Sequence, residues 1–110
     1  MKVYISLPIS GRDMEQVKAE ITFTAAVLRS HGHEPISPLE VNAANPSAPY
    51  AELIGNDIRA LLQCDAAVFH PDWRKSKGCR LERYACKLYS INTYALGKLC
   101  PRRLPNEFHP

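Results

Sequence analysis

The feature that most constrains the fold is the run Asp65-Ala66-Ala67-Val68-Phe69-His70, which is apolar at all of its central positions. A strand with one face in water alternates apolar and polar residues, whereas a strand that is buried on both faces is apolar throughout. Strands of the second kind are typical of parallel sheets that are covered by helices on both sides. The run therefore predicts a central strand of an α/β domain.

The rest of the chain alternates between strand-like and helix-like segments. Strands are predicted at residues 2–6, 33–37, 65–70 and 91–96, and helices at 13–31, 50–64 and 76–89. Strands that alternate with helices of this length favour a parallel sheet with helices on both faces. We expect an α/β fold, namely a single-domain, flavodoxin- or Rossmann-like three-layer sandwich whose parallel sheet has about four strands in the order 2-1-3-4.

Length and loop composition define the predicted domain. The 110 residues are enough for one core but not for two domains, and we assign residues 1–97 to the domain and 98–110 to an extended, proline-rich C-terminal tail. Residues 38–49 are rich in Asn and Pro and are predicted as a loop without a regular element. A functional lid and a disordered segment are both open interpretations of this loop. A domain this small gains stability by burying more surface, so we expect a homo-oligomer.

Composition and charge exclude several classes of protein. The N-terminal segment lacks the apolar stretch of a signal peptide, and no apolar run is long enough to span a bilayer, so we expect a cytoplasmic protein without membrane contact. The four cysteines form no CxxC pair and have no histidine at metal spacing, which predicts neither a metal site nor a disulfide framework. The formal charge of +3 is too weak for nucleic-acid binding, which requires a clustered patch and a recognisable module. It is compatible with a small anionic ligand, and no cofactor is expected.

Two predicted helices turn a carboxylate toward the core. At about 100° per residue, Glu82 falls near the middle of the apolar arc of the helix 76–89, and Asp57 falls inside the apolar arc of the helix 50–64. A buried carboxylate loses hydration and must find hydrogen bonds or shift its pKa. A single inward acid is readily explained by a structural pair with Arg or Lys. Two in one small domain indicate function, because paired carboxylates are usual for acid–base and nucleophilic chemistry on sugars.

The site is expected at the carboxyl ends of the strands, where ligands bind open parallel sheets. The loops predicted at that edge are residues 6–12, 38–49 and 70–77. Trp73 in the last loop either stacks on a base or plugs the rim of the core, and Asp72 either binds a sugar hydroxyl or caps the loop. His70 ends a strand at the same edge and is a weaker candidate for ligand contact.

Several short motifs resemble those of the nucleoside 2-deoxyribosyltransferase-like superfamily. Residues 3–11 look like its opening strand and turn, while Asn56-Asp57 with residues 64–68, and then Ser76-Lys77-Gly78 with Glu82, look like its second and third motifs. The resemblance extends to about Leu96 and is greatest to a branch of small domains common in phage and bacterial genomes. The chain is also similar to the deoxynucleoside 5′-monophosphate N-glycosidases. The order and spacing of the motifs together make the match fairly specific.

The resemblance implies a role for each site residue. Glu82 matches the nucleophile that attacks the anomeric carbon of a 2-deoxyribose and holds it as a glycosyl ester, and Asp57 matches a carboxylate that handles protons or orients the sugar. Tyr4 matches a tyrosine that supports the nucleophile. Ser76 matches the phosphate-binding serine of the monophosphate N-glycosidases, where transferases of unphosphorylated nucleosides carry Asp. The substrate-binding residues predicted in all are Ser10, Gly11, Arg12, Asp72, Trp73, Ser76, Lys77 and Gly78.

The function implied is cleavage or transfer of the N-glycosidic bond of a (deoxy)nucleoside or its 5′-monophosphate. The chain departs from the pattern at Leu7 and Pro8, where relatives carry Gly and often a small or hydroxyl residue. Gly allows the backbone to approach a ligand closely, and Pro donates no N–H. This departure favours the alternative of a catalytically inactive nucleotide-binding or sensing module. A purely structural or interaction protein is a third interpretation.

Overall fold

A computed structural model describes residues 1–101 of the chain, so that most of the predicted tail, residues 102–110, lies outside the described residues. The helices and strands follow the predicted order, with two additional short helices. Their bounds are β1 Lys2–Ser6, α1 Met14–Ser30, β2 Glu34–Ile36, α2 Pro38–Val41, α3 Tyr50–Leu61, β3 Ala66–Phe69, α4 Lys77–Leu88, β4 Asn92–Tyr94 and α5 Leu96–Leu99, with a 3-10 turn at Trp73–Lys75 between β3 and α4.

The four strands form one parallel sheet in the order β2-β1-β3-β4. The predicted fold class and strand order are therefore confirmed. The run that predicted a central strand is β3, whose four residues are all buried and which lies between β1 and β4. Residue Ser6 of β1 lies beside Phe69 of β3, so these two strands end together at the carboxyl edge of the sheet.

Each face of the sheet carries its own hydrophobic core, because alternate side chains of a strand point to opposite faces. Val3 and Ile5 of β1 pack with Val17, Ile21, Ala25 and Leu28 of α1 on one face. Tyr4 of β1 and Phe69 of β3 lie on the other face with Leu61, Cys64, Ala85 and Cys86 of the α3 and α4 region. The sheet is thus the middle layer of a three-layer sandwich, and any polar residue at an even position of β1 faces α3 and α4.

The ends of α1 follow the sequence signals. Asp13 is the N-cap, and its side chain accepts the backbone N–H of Gln16. Gly32, just beyond the helix, has a φ of 82°, a left-handed conformation that glycine adopts without steric cost. Pro35 lies in β2, at one edge of the sheet, as the sequence predicted.

Two segments differ from the prediction. The segment 38–49, predicted to lack any regular element, begins with the short helix α2, because Ser37 accepts the N–H of Glu40 and Pro38 occupies the first turn, where it is tolerated. The chain from Lys98 onward was predicted as an extended tail, but α5 covers Leu96–Leu99. Leu96 and Leu99 pack against the α1-side core and Cys100 is buried within it, since apolar residues three and four positions apart share one helical face.

None of the helices in the described part of the chain has the length and apolar character needed to cross a membrane.

Candidate functional site

A cleft of about 430 Å³ opens at the carboxyl edge of the sheet, on the face that carries α3 and α4. All three loops predicted for this edge contribute to it, together with the inward acids of α3 and α4. Its walls consist of Leu7, Pro8, Ile9 and Ser10 after β1, Pro38 of α2, Tyr50, Ile54 and Asp57 of α3, and Lys75, Ser76, Lys77, Gly78, Cys79 and Glu82 before and within α4. The two carboxylates inferred from helical periodicity therefore line one cavity.

Glu82 is the most deeply placed acid of the cleft, with 4% of its surface exposed. Its two carboxylate oxygens accept separate hydrogen bonds: Tyr4 Oη donates to Oε2 at 2.7 Å and Ser6 Oγ donates to Oε1 at 2.6 Å. Burial raises the pKa of Glu82 to about 7, although both hydrogen bonds act in the opposite direction. The group is thus a carboxylate held in a fixed orientation and close to half-protonated near neutral pH.

Tyr4 and Ser6 reach the same carboxylate because they are two residues apart on β1 and point to the same face of the sheet. Both are buried. Burial and the neighbouring Glu82 carboxylate raise the pKa of Tyr4, so that its hydroxyl stays protonated and donates. Tyr4 was predicted as a site residue from the sequence, but Ser6 was not. The period of two that separates it from Tyr4 is the signal that would have found it.

Asp57 lines the cleft from α3 and is 8% exposed. Asn42 Nδ2 donates to Asp57 Oδ1 at 2.9 Å, and Asn42 Oδ1 in turn accepts from Asn56 Nδ2 at 3.1 Å. Burial raises the pKa of Asp57 to about 6, and the hydrogen bond from Asn42 lowers it. The end of α2 therefore holds the second acid in place through one amide side chain, that of Asn42.

Ser76 and Gly78 form the cleft wall at the start of α4. Ser76 is the N-cap of this helix and its Oγ accepts the N–H of Cys79 at 3.2 Å. A Cβ at Gly78 would lie 3.2 Å from Tyr50 Oη and 3.5 Å from Ile54 Cδ1, so glycine lets α4 approach α3 closely at this point. Lys77 lines the same wall. The N-terminus of a helix favours anions, because its first N–H groups have no helical partner.

The turn after β1 contributes less to the cleft than predicted. Ser10 lines it, but Gly11, with a φ of 77°, and Arg12 do not. Arg12 forms an ion pair with Glu20 of α1, and its Nη1 donates to the carbonyl of Pro8 at 2.9 Å. The guanidinium is thus held on the α1 side by the Glu20 carboxylate and does not line the cleft.

Asp72 and Trp73, also predicted as substrate-binding residues, do not line the cleft. The Asp72 carboxylate lies 3.7 Å from Lys75 Nζ and is mostly exposed. Trp73 packs edge-on against Phe69 with ring centroids 6.0 Å apart, and it belongs to the core on the α3 and α4 face. Its position agrees with the interpretation as a plug of the core rim. His70 Nε2 lies 3.1 Å from Glu20 Oε1, so the His70 side chain is directed toward α1 and away from Glu82.

All four cysteines are free and buried. Cys79 lines the cleft beside Glu82, and burial raises the pKa of its thiol, which disfavours a thiolate nucleophile. Within residues 1–101, no group of three or more His, Cys, Asp or Glu side chains is placed to hold a metal ion.

Fold and cleft together define a class of protein: a small parallel α/β domain with two buried carboxylates at the carboxyl edge of its sheet. Residues 1–94 match the model of a family described as a domain of unknown function (DUF4406), and the chain belongs to this family. Among solved structures, the chain is similar to the 2-deoxyribosyltransferase from the psychrotolerant bacterium Bacillus psychrosaccharolyticus, with a TM-score of 0.62 and 21% sequence identity over 84% of this chain and 69% of that chain. At this identity the likeness shows a shared fold. A comparison with curated proteins found no match.

Proposed function

We propose that the protein cleaves or transfers the N-glycosidic bond of a (deoxy)nucleoside or its 5′-monophosphate, with Glu82 as the nucleophile. The observation that carries this proposal is the Glu82 carboxylate itself, which is buried in a cleft and oriented by two hydroxyl donors. A structural ion pair does not account for it, because among residues 1–101 no Lys, Arg or His lies within ion-pair distance of its oxygens. The 2-deoxyribosyltransferase that shares the fold adds support at the level of the superfamily.

The proposed chemistry uses the two carboxyl groups in opposite protonation states, Glu82 deprotonated and Asp57 protonated, which is the less populated arrangement of the pair because the pKa of Glu82, about 7, lies above that of Asp57, about 6. An oxygen of deprotonated Glu82 attacks the anomeric carbon and forms a glycosyl ester, while the electron pair of the C–N bond leaves with the base. Asp57 in its protonated form donates a proton to the departing base. Water or a second base then attacks the anomeric carbon, the ester bond breaks, and Asp57 recovers a proton from the attacking group.

Tyr4 and Ser6 support both halves of this cycle. Their hydroxyl groups hold the carboxylate in one rotamer before the attack, and they stabilise the carboxylate again when it leaves the sugar. Because both donors lie in the central strand β1, their positions change little on ligand binding. Preorganised donors of this kind are effective because no reorganisation is needed during the reaction.

The proposed phosphate-binding wall is the start of α4. Ser76, Lys75 and Lys77 line the cleft there, and the N-terminus of the 12-residue helix lies beside them. A 5′-phosphate placed at this wall would meet a hydroxyl, two ammonium groups and the positive end of a helix dipole. This arrangement supports a nucleoside 5′-monophosphate as the substrate. From the sequence alone, we also propose that the protein is cytoplasmic and that it assembles into a homo-oligomer.

The proposal is tested by incubating the protein with a panel of nucleosides, deoxynucleosides and their 5′-monophosphates and measuring free base by chromatography. Release of base that is lost in Glu82→Gln supports it. Release of base at the wild-type rate by Glu82→Gln contradicts the assignment of the nucleophile. No release from any member of the panel contradicts the activity.

The alternative is a nucleotide-binding or sensing module without catalysis. It is favoured by Leu7 and Pro8, which line the cleft directly after β1, since a proline supplies no N–H and a leucine restricts the approach of a ligand to the backbone. Thermal-shift measurements with the same panel separate the two functions. Stabilisation by a nucleotide without release of base supports the binding module, and absence of any shift favours a structural or interaction protein.

A further inference from the structure

A second functional surface lies on α4 and the preceding turn, outside the cleft. Between residues 74 and 87 the chain carries six Lys and Arg residues and a single acid, Glu82, whereas the other 96 residues carry eight Lys and Arg and ten acids. Since Glu82 is buried, this segment presents positive charge without exposed acids of its own. We call its outer surface the basic face, and it consists of Trp73, Arg74, Arg80, Arg83, Tyr84 and Lys87.

The basic face is concave. A shallow cavity of about 520 Å³ is lined by Trp73, Arg80, Arg83, Tyr84, Lys87, Ile91 and Thr93, and none of these residues is acidic. Two guanidinium groups stack on the indole of Trp73, Arg74 at 4.5 Å and Arg83 at 4.7 Å from the ring centroid. Stacking fixes the plane of a guanidinium and leaves the N–H groups at its edge available. The arginines are thus positioned in advance for an anion.

These charges are not neutralised within the described residues. Among residues 1–101 the ion pairs are Arg12–Glu20, His70–Glu20 and Lys75–Asp72, so Arg74, Arg80, Arg83 and Lys87 have no carboxylate within 4.0 Å. Arg12 shows the contrast, because its guanidinium is paired on the α1 side. A group of unpaired cations on one face repel one another, and they are stabilised when an anion binds.

We propose that the basic face binds single-stranded nucleic acid. At 1.5 Å per residue, the 12 residues of α4 extend over about 18 Å, which favours a chain of several phosphates over a single anion. Tyr84 lies among the cations and is 58% exposed, so its ring offers a surface on which a base stacks. Alternation of cations with an exposed aromatic ring is the pattern of sequence-tolerant single-strand binding. Nucleic acid was excluded from the sequence because the net charge is weak, but the cations between residues 74 and 87 are clustered, and the structure stacks two of them on Trp73.

The test is a fluorescence-anisotropy titration of labelled oligothymidylate, long enough to span the face, over a range of salt from about 50 to 200 mM. We expect the affinity of the wild-type protein to fall linearly with salt on logarithmic axes. Arg80→Ala combined with Lys87→Ala should reduce the slope by about 1.4, because each phosphate contact in a single strand contributes about 0.7. Tyr84→Ala should weaken binding about ten-fold or more at every salt concentration without changing the slope, and Tyr84→Phe should retain binding.

A matched control is Lys18→Ala combined with Arg29→Ala, which removes the same two charges from exposed positions on α1. Its binding should equal that of the wild type. Equal weakening by this control would overturn the proposal, since the effect would then follow net charge alone. Absence of binding at the lowest salt would also overturn it. The proposal would also be overturned if polyglutamate competed as well as the oligonucleotide and Tyr84→Ala had no effect. The partner would then be an acidic protein segment. Retention of binding in Glu82→Gln would support a surface separate from the cleft.

Discussion

Tyr4 and Glu82, which are 78 positions apart in the chain, are joined by a hydrogen bond of 2.7 Å between Tyr4 Oη and Glu82 Oε2, and both side chains are buried. The bond connects β1, one of the two inner strands of the sheet, to α4, one of the helices that line the cleft. It also links the protonation of Glu82 to the packing of the core, because the donor cannot move without disturbing β1.

Glu82→Gln should abolish release of base and leave the protein folded, since an amide keeps the shape of the carboxyl group but does not form the glycosyl ester. The same substitution should flatten the dependence of stability on pH. Unfolding by urea, followed at several pH values, measures the second effect. Glu52→Gln, at an exposed position of α3, is the matched control and should resemble the wild type in both assays.

The sign of this pH dependence follows from the raised pKa of Glu82, which is about 7 in the folded protein against an ordinary value of 4.5. A carboxyl group that binds its proton more tightly when folded stabilises the protein below pH 4.5, and this stabilisation is lost as the pH rises through 7. The loss amounts to about 3–4 kcal/mol at about 1.4 kcal/mol per unit of pKa. Asp57, with a pKa of about 6, acts in the same direction. A difference in stability between pH 5 and pH 8 that is the same in Glu82→Gln as in the wild type would contradict this assignment.

Tyr4→Phe should raise the pKa of Glu82 further, because the hydrogen bond that it removes favours the ionised form. Since the proposed nucleophile, Glu82, must be deprotonated, the rate on the acid side of the pH profile should fall, and stability should fall by about 1–2 kcal/mol because a buried acceptor loses its donor. Ser6→Ala removes the second donor and should shift the profile in the same direction. Tyr94→Phe, on the opposite side of the sheet, should leave the profile unchanged. A normal profile in Tyr4→Phe would show that this tyrosine only packs.

Asn42→Ala should raise the pKa of Asp57 above its value of about 6, because the lost hydrogen bond favours the ionised carboxylate. If protonated Asp57 donates to the departing base, the alkaline limb of the rate profile should also move to higher pH. Asn45→Ala, at an exposed position a few residues further along the same segment, is the control. An alkaline limb that stays in place in Asn42→Ala would argue against proton donation by Asp57.

Ser76 has two separable roles, helix capping and the proposed phosphate contact. Ser76→Ala should cost about 1 kcal/mol of stability, because α4 loses its N-cap. Ser76→Asp should keep the cap, since Asp caps as well as Ser, yet raise the KM for a 5′-monophosphate by repulsion between like charges while sparing the unphosphorylated nucleoside. Asp13→Ala removes the cap of α1 and serves as the stability control. Equal KM values for Ser76→Asp and the wild type would remove Ser76 from the phosphate site.

Much of the fold follows from local patterns in the sequence. The apolar run that became β3 and the alternation of strands with helices predicted the sheet and its order. Helical periodicity alone predicted that Glu82 and Asp57 face inward, and both are buried in one cleft. These predictions succeed because burial of apolar surface dominates the folding of long, periodic segments.

What the sequence did not predict depends on competition between partners. Arg12 was expected in the cleft, but Glu20 binds it on the α1 side. Trp73 was placed among the substrate-binding residues, but the indole packs on Phe69 and carries two stacked arginines. Both outcomes are decided by tertiary contacts, which a local pattern does not contain. The helix α2 was missed for another reason, since its N-cap Ser37 and its first-turn proline Pro38 are local signals.

The placement of Tyr4 and Ser6 on the central strand has a consequence for how the family can diversify. Substitutions of Tyr4 or Ser6 that alter the pKa of Glu82 also change the buried interior of the domain, where most changes are removed by loss of stability. The cleft residues Pro8, Ser10, Lys75 and Lys77 are not part of the buried core, lie outside the regular strands and α-helices or at their first residue, and tolerate change. Under the proposed function, evolution and directed engineering can therefore exchange the ligand far more easily than the chemistry, and libraries aimed at a new ligand should vary these four residues and leave β1 intact.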